Sequence, residues 1–199
     1  IKAQYAIINK TRERDDVLGL LQGLSGTQLG IADMAYGIAM EMEKPKNERR
    51  PGYDEDAVQQ TIDALQYQYM GYFEPVDKAM MIRALKMVNE LPAGQRIEGL
   101  EYLFDDPSIT IEDFVENAYN TSKLNDLEFS KSLFVMSPDE IVALNDPFIE
   151  IAVNIYPLTE KNREVYESFA ANVTELRKQY IDALYEWQGS NMYPDANST

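Results

Sequence analysis

The sequence predicts an all-α fold on three observations. Apolar residues recur at three- and four-residue spacings along most of the chain. Capping residues followed closely by proline or acid punctuate it where helices should start. No stretch before the last seven residues alternates as a half-buried strand would. The architecture these imply is an irregular bundle or array of roughly eight helices joined by short loops. No fixed repeat of the solenoid kind recurs.

Taken in order, Gly23-Leu24-Ser25-Gly26-Thr27 reads as a helix-initiating turn, with Ser25 or Thr27 as the cap. Ile31, Ala35, Ile38 and Met42 then form one buried row, which Pro45 ends. Residues 46–52 read as a charged loop. Asp54 is the next N-cap, with Glu55 and Asp56 favourably placed at the positive end of the helix dipole and Val58, Ile62, Leu65, Tyr69 and Tyr72 as the buried stripe. Pro75 suits the first turn of the following helix, whose two adjacent rows are Met80, Ala84, Met87, Leu91 and Met81, Leu85, Val88. Pro92 breaks that pattern. A helix carrying Ile97, Leu100 and Leu103 is expected next, stopped by Asp105, Asp106 and Pro107.

Thr110 with Asp113 three residues on begins another helix. The strongest local signal is Ser137-Pro138-Asp139-Glu140, an N-cap serine, a first-position proline and a glutamate able to close a capping box. Asp146-Pro147 repeats the logic for a helix over Phe148–Tyr156. From Thr159 a long amphipathic helix is expected, with Val165, Phe169, Val173, Leu176, Tyr180, Leu184 and Trp187 on one face and Gly189 as its end. Tyr193–Thr199 is short, polar and turn-rich, the start of an extended segment.

Composition excludes more chemistry than it proposes. With 18 Lys plus Arg against 34 Asp plus Glu, the formal charge of −16 disfavours nucleic acid and anionic membrane as partners. There is no cysteine, hence no disulfide, thiolate nucleophile or sulfur-ligated metal. There is no histidine either, hence no imidazole base and no Ser-His-Asp triad within these residues. At 45% hydrophobic residues the chain can build a full core, yet charges interrupt every apolar run well short of a membrane span. It begins at Ile1 without an initiator methionine or signal-peptide pattern, which reads as a stretch cut from something longer.

The catalytic templates fail one by one. Gly23-Leu24-Ser25-Gly26-Thr27 lacks the final glycine and the preceding strand of a nucleophile elbow. Ser-x-x-Lys occurs at no serine, and Gly23, Gly26 and Gly30 make no dinucleotide fingerprint. The pairs Asp105 with Asp106 and Glu112 with Asp113 fit neither a glycosidase nor an EF-hand better than they fit a solvated surface. Tyr67, Tyr69, Tyr72 and Phe73 crowd one helix end and read as interhelical packing before they read as a ligand lining. Lys44, Lys46, Arg49 and Arg50 are the densest basic cluster, a loop pairing with acids such as Glu43 and Glu48. The residues alone thus describe an acidic helical domain without a self-contained active site, suited to a binding, lid or scaffolding role. A free-standing adaptor that holds partner helices or peptides in its grooves is one such reading.

Several phrases carry a resemblance. The charged loop closing with Arg50-Pro51-Gly52-Tyr53, then Leu91-Pro92-Ala93, Ser122-Lys123-Leu124, Asn145-Asp146-Pro147 and finally Tyr193-Pro194-Asp195-Ala196-Asn197 resemble the bacterial serine dipeptidyl-peptidases of the dipeptidyl-peptidase 7 and 11 type. The likeness runs from about Lys44 to Thr199. It implies a chymotrypsin-like double β-barrel carrying an inserted helical domain, with residues 1–192 as that cap and residues 193–199 as the start of the return to the barrel. It implies removal of dipeptides from the amino terminus of peptides, without a metal or organic cofactor, by a triad lying outside these residues. The substrate-cleft candidates it singles out are Arg50, Tyr53, Asp195 and Asn197; no catalytic residue maps onto the chain. A structural role competes at each: an ion pair for Arg50, core packing for Tyr53, and side-chain to backbone turns for Asp195 and Asn197. The implied partners are peptide substrates and the barrels of the same chain, with room for a homodimer of the parent. The implied location is the periplasm or cell surface of a Gram-negative bacterium.

Overall fold

The computed structural model describes residues 2–24 and 27–188. Those residues form eight α-helices: α1 (Lys2–Gln22), α2 (Gln28–Met42), α3 (Glu55–Met70), α4 (Glu74–Glu90), α5 (Ile111–Thr121), α6 (Leu127–Leu133), α7 (Pro138–Val142) and α8 (Pro147–Gln188). Two short 3-10 turns, Ala93–Gln95 and Glu101–Phe104, lie between α4 and α5, and no strand occurs among the described residues. The all-α prediction holds. No helix among these residues is long and apolar enough to cross a membrane.

The starts of the helices are where local hydrogen bonding put them. Thr27 accepts from the Gly30 N–H, Asp54 from Ala57 and Asp126 from Phe129, each satisfying an orphan donor of the first turn. Thr110 with Asp113, and Ser137 with Glu140, close reciprocal capping boxes.

The chain divides into two units. The larger is residues 12–159, with its core in the rows anticipated on α2 and α4: Ile31, Ala35 and Ile38 on the first, Met81, Ala84, Leu85 and Val88 on the second. There α4 packs on α5, α3 on α6, and α2 on α6 and α7. Tyr119 of α5 meets Phe148 of α8 edge-on at 4.9 Å, a favourable aromatic geometry at the centre of the unit. The smaller unit is built from residues up to Thr11 and from Glu160 onward.

Four elements depart from the prediction. Helix α1 was not anticipated: its deep burial is confined to Val17, Leu18 and Leu21, and the dense charge of residues 10–16 hides any stripe before them. The seven-residue α6 was likewise too short to show a period. The helix expected over Ile97–Leu103 is not formed. Ile97 and Leu100 are buried as their apolar spacing implied, but Gly99 between them takes φ +90°, outside the helical region, so the segment turns instead. Finally, the break expected between Tyr156 and Thr159 is absent: α8 runs unbroken through Pro157. Pro157 is exposed, so the Val153 carbonyl opposite its missing N–H sits on the wetter side, where losing a helical bond costs least. Thr159, expected as the start of a new helix, lies inside α8 and donates its hydroxyl to the Ile155 carbonyl at 3.1 Å. The expected end at Gly189 lies outside the described residues.

Candidate functional site

The loop between α2 and α3 is built around one carboxylate. Glu41 is in the last turn of α2, and its side chain is fully shielded from solvent. Lys44 Nζ donates to its Oε2 at 2.7 Å, the Arg50 backbone N–H to its Oε1 at 2.6 Å, and Arg50 Nε to its Oε2 at 2.9 Å. Burial works to raise the Glu41 carboxyl, but the Lys44 bond, the Arg50 backbone bond and the two cations outweigh it and hold it below the usual carboxylate range. Glu41 is therefore ionised and compensated, as a buried charge must be.

Arg49 closes the other side of the loop. Its Nη2 donates to the Met42 carbonyl at 2.8 Å and its Nε to the Lys44 carbonyl at 2.9 Å, so a cation satisfies free carbonyls at the negative end of α2. Glu55, at the start of α3, takes Lys46 at 2.8 Å and Arg49 at 3.4 Å. The Lys46 bond, foremost, draws its carboxyl down to about 2. The acids in these pairs are Glu41 and Glu55; Glu43 and Glu48, nearer in sequence and anticipated as partners, are exposed.

The candidates Arg50 and Tyr53 come together here. The Arg50 guanidinium lies over the Tyr53 ring, 4.7 Å from its centroid, and Tyr53 is half-buried against the core. Gly52 between them takes φ +86°, the turn that lets the chain fold back so tightly. Asp195 and Asn197, and with them the proposed boundary at residue 193, lie outside the described residues. Beside the loop opens a groove of about 300 Å³, lined by Met42, Val58, Ile62, Phe134 and Met136 with Glu55 and Gln59 among its polar groups.

The remaining clusters have structural partners. Glu112 pairs with Lys86 at 2.6 Å, Asp113 closes the α5 capping box, and Asp106 accepts from Ser108, so the acid pairs of this region serve the surface and the caps. The aromatic cluster divides: the Tyr69 hydroxyl contacts the Leu124 carbonyl and Ser130, and that of Tyr72 accepts from Gln28 Nε2 at 2.9 Å, whereas Tyr67 and Phe73 point outward. Among the described residues no group of three acidic or other metal-binding side chains comes together. What the site does chemically is hold backbone: it contains fixed charges and a groove, and no nucleophile beside a base.

Two acids with almost no solvent contact were missed from sequence. Glu41 is one. The other is Asp77 of α4, whose Oδ2 accepts the Gln28 N–H at 3.2 Å at the start of α2. Burial raises its carboxyl, against the opposing hydrogen bonds of Tyr119 and Gln28. Both sit within apolar rows, Glu41 three residues after Ile38 and Asp77 four before Met81, and an acid at such a position is a readable sign of a buried charge.

The model of the peptidase S46 family matches residues 1–199. A curated relative, the Asp/Glu-specific dipeptidyl-peptidase of Shewanella putrefaciens (strain CN-32 / ATCC BAA-453), is 25% identical over 180 residues, covering 88% of this chain and 24% of that protein. The chain thus spans about a quarter of the length of the curated relative it matches. A match running the whole length of an all-helical chain makes it a member of the peptidase S46 family.

Proposed function

We propose that this chain is the helical part of a longer, serine-type dipeptidyl-peptidase, in which it closes one end of the substrate cleft so that only a short amino-terminal stretch of peptide fits. The observation that carries this reading is the family match over all 199 residues of a chain that contains no histidine. A serine triad would need its imidazole from elsewhere in the protein. In this reading chymotrypsin-like barrels supply the nucleophile and oxyanion hole, and the helical part contributes shape, excluding longer entry and fixing the peptide's amino end. Arg50 and Tyr53, rigidly held by Glu41 and Gly52, are the loop residues proposed to face the cleft. The same reading places the enzyme in the periplasm or at the cell surface, with a homodimer as its proposed assembly.

The acidic preference in the relative's name belongs to that protein. Here the −16 charge repels acidic peptides at long range and attracts basic ones, so any preference for acids would have to be set by short-range contacts in the cleft.

The test is to assay the full-length protein on fluorogenic dipeptides with free and with acetylated amino termini. Release from the free-amine substrates only, abolished by a serine-directed phosphonate, is the expected result. Tyr53→Ala should then lower kcat/KM by on the order of tenfold without loss of folding. Cleavage within long blocked peptides, or hydrolysis by residues 1–199 alone, overturns the reading. No hydrolysis by the full-length protein, with tight capture of a helical or peptide partner by this chain, establishes the adaptor instead.

A further inference from the structure

The second half of α8 carries an apolar row with nothing described against it. In the smaller unit α1 and α8 run antiparallel. Gln4 Nε2 donates to Ser168 Oγ at 2.8 Å, and Asn172 Nδ2 donates to Gln4 Oε1 at 3.1 Å. Along this seam Gln4, Ile8 and Thr11 of α1 are half-buried, as are Asn162, Val165, Phe169 and Val173 of α8, so the two faces are in register.

Past Asn172, α8 continues to Gln188, which is 188 − 172 = 16 further residues. That is about 24 Å of helix. Within it Leu176, Tyr180 and Trp187 are 50%, 63% and 78% exposed. With Val173 they fall at spacings of three, four and seven, the seam pattern of a two-helix coiled coil. A lone helix of this length is marginal in water and takes its stability from packing on such a face.

We propose that this row is covered by the polypeptide immediately preceding Ile1 in the full-length protein, running as a helix antiparallel to α8 along the track that the start of α1 occupies. Register supports this occupant. Facing residue numbers add to between 4 + 168 = 172 and 4 + 172 = 176. Tyr180 would then face a position about seven residues before Ile1, and Trp187 one about fourteen before. Length allows it, since the match covers only 24% of the curated relative. Connectivity favours it over a second copy: a segment joined covalently beside the row closes a short loop at most, whereas a second molecule must be recruited from solution. The inference does not depend on the peptidase reading, and its test reads no activity.

The chain has no cysteine, so thiols can be placed without interference from within it. In the full-length protein, freed of other cysteines, Tyr180→Cys is combined in turn with a cysteine at each position from about four to ten residues before Ile1, a window of about two helical turns. Oxidation should give an intrachain disulfide, at monomer size on a non-reducing gel, at one or two of these positions three or four apart. A disulfide between two copies, recovered as a dimer, assigns the row to a second molecule and overturns the proposal. So does the absence of any intrachain disulfide across the window.

Discussion

Glu41 shows how much one side chain can organise. A carboxylate with no solvent contact is tolerable only while its cations stay in place, so the loop after α2 is tied to it at Lys44 and at both ends of Arg50. Glu41→Ala removes the anchor and leaves Arg50 facing a cavity. Denaturant unfolding should show a loss of about 3 kcal/mol. Asp33 of α2 is the opposite case. Burial pushes its carboxyl up to about 6 from the ordinary 3.8, so the folded state binds the proton more tightly than the unfolded chain. Its stabilising contribution is complete below about pH 4 and is lost as the pH rises through about 6. Asp33→Asn should flatten that part of the stability profile and raise stability at pH 7 by on the order of 2 kcal/mol, read from unfolding at pH 4, 5, 6 and 7. Neither acid was singled out from the sequence, because burial of a charge depends on partners that arrive from other segments. The row position of Glu41 hinted at it; the identity of Arg50 as its partner, across nine residues of loop, did not.

At the scale of the element, legibility follows the range of the interactions. The capping boxes at Thr110 and Ser137 are closed by residues three apart, and both were readable. Gly99 was not: an added Cβ there would lie 2.9 Å from the Asn154 carbonyl of α8, a tertiary approach that fixes the turn and cannot be seen from Ile97, Leu100 and Leu103 alone. Pro157 misled in the other direction, since a proline normally ends a helix while here packing on both sides carries α8 through it. Ile155 and Leu158, which flank it, are both buried. Pro157→Ala should restore the missing helical bond and raise stability by about 2 kcal/mol, with slower amide exchange over the adjoining turn as the direct check.

For the whole molecule, the charge balance is the dominant long-range feature. A chain with 34 acids against 18 bases repels itself, and mobile ions relieve that repulsion. Raising the salt from about 10 mM to 150 mM, which shortens the screening length from about 30 to 8 Å, should raise the melting temperature. A fall would mean that the ion pairs around Glu41 and Glu55 outweigh the general repulsion. The all-α class and the family resemblance were both legible at this scale. Of the candidate residues, Arg50 and Tyr53 share one loop and stack on each other, while the buried Glu41 that holds Arg50 was not read from the sequence.

The buried carboxylate also decides how the loop meets a digestive enzyme. Four basic residues within seven positions, Lys44, Lys46, Arg49 and Arg50, would ordinarily mark the most trypsin-sensitive stretch of the chain. Prolines follow Lys44 and Arg50, and trypsin cuts poorly before proline. The Arg49 side chain, which would have to enter the specificity pocket, is bound to the Met42 and Lys44 carbonyls. Only the exposed Lys46 remains as a practical point of attack, so trypsin should cut this run at the Lys46–Asn47 bond alone for as long as Glu41 holds the loop folded.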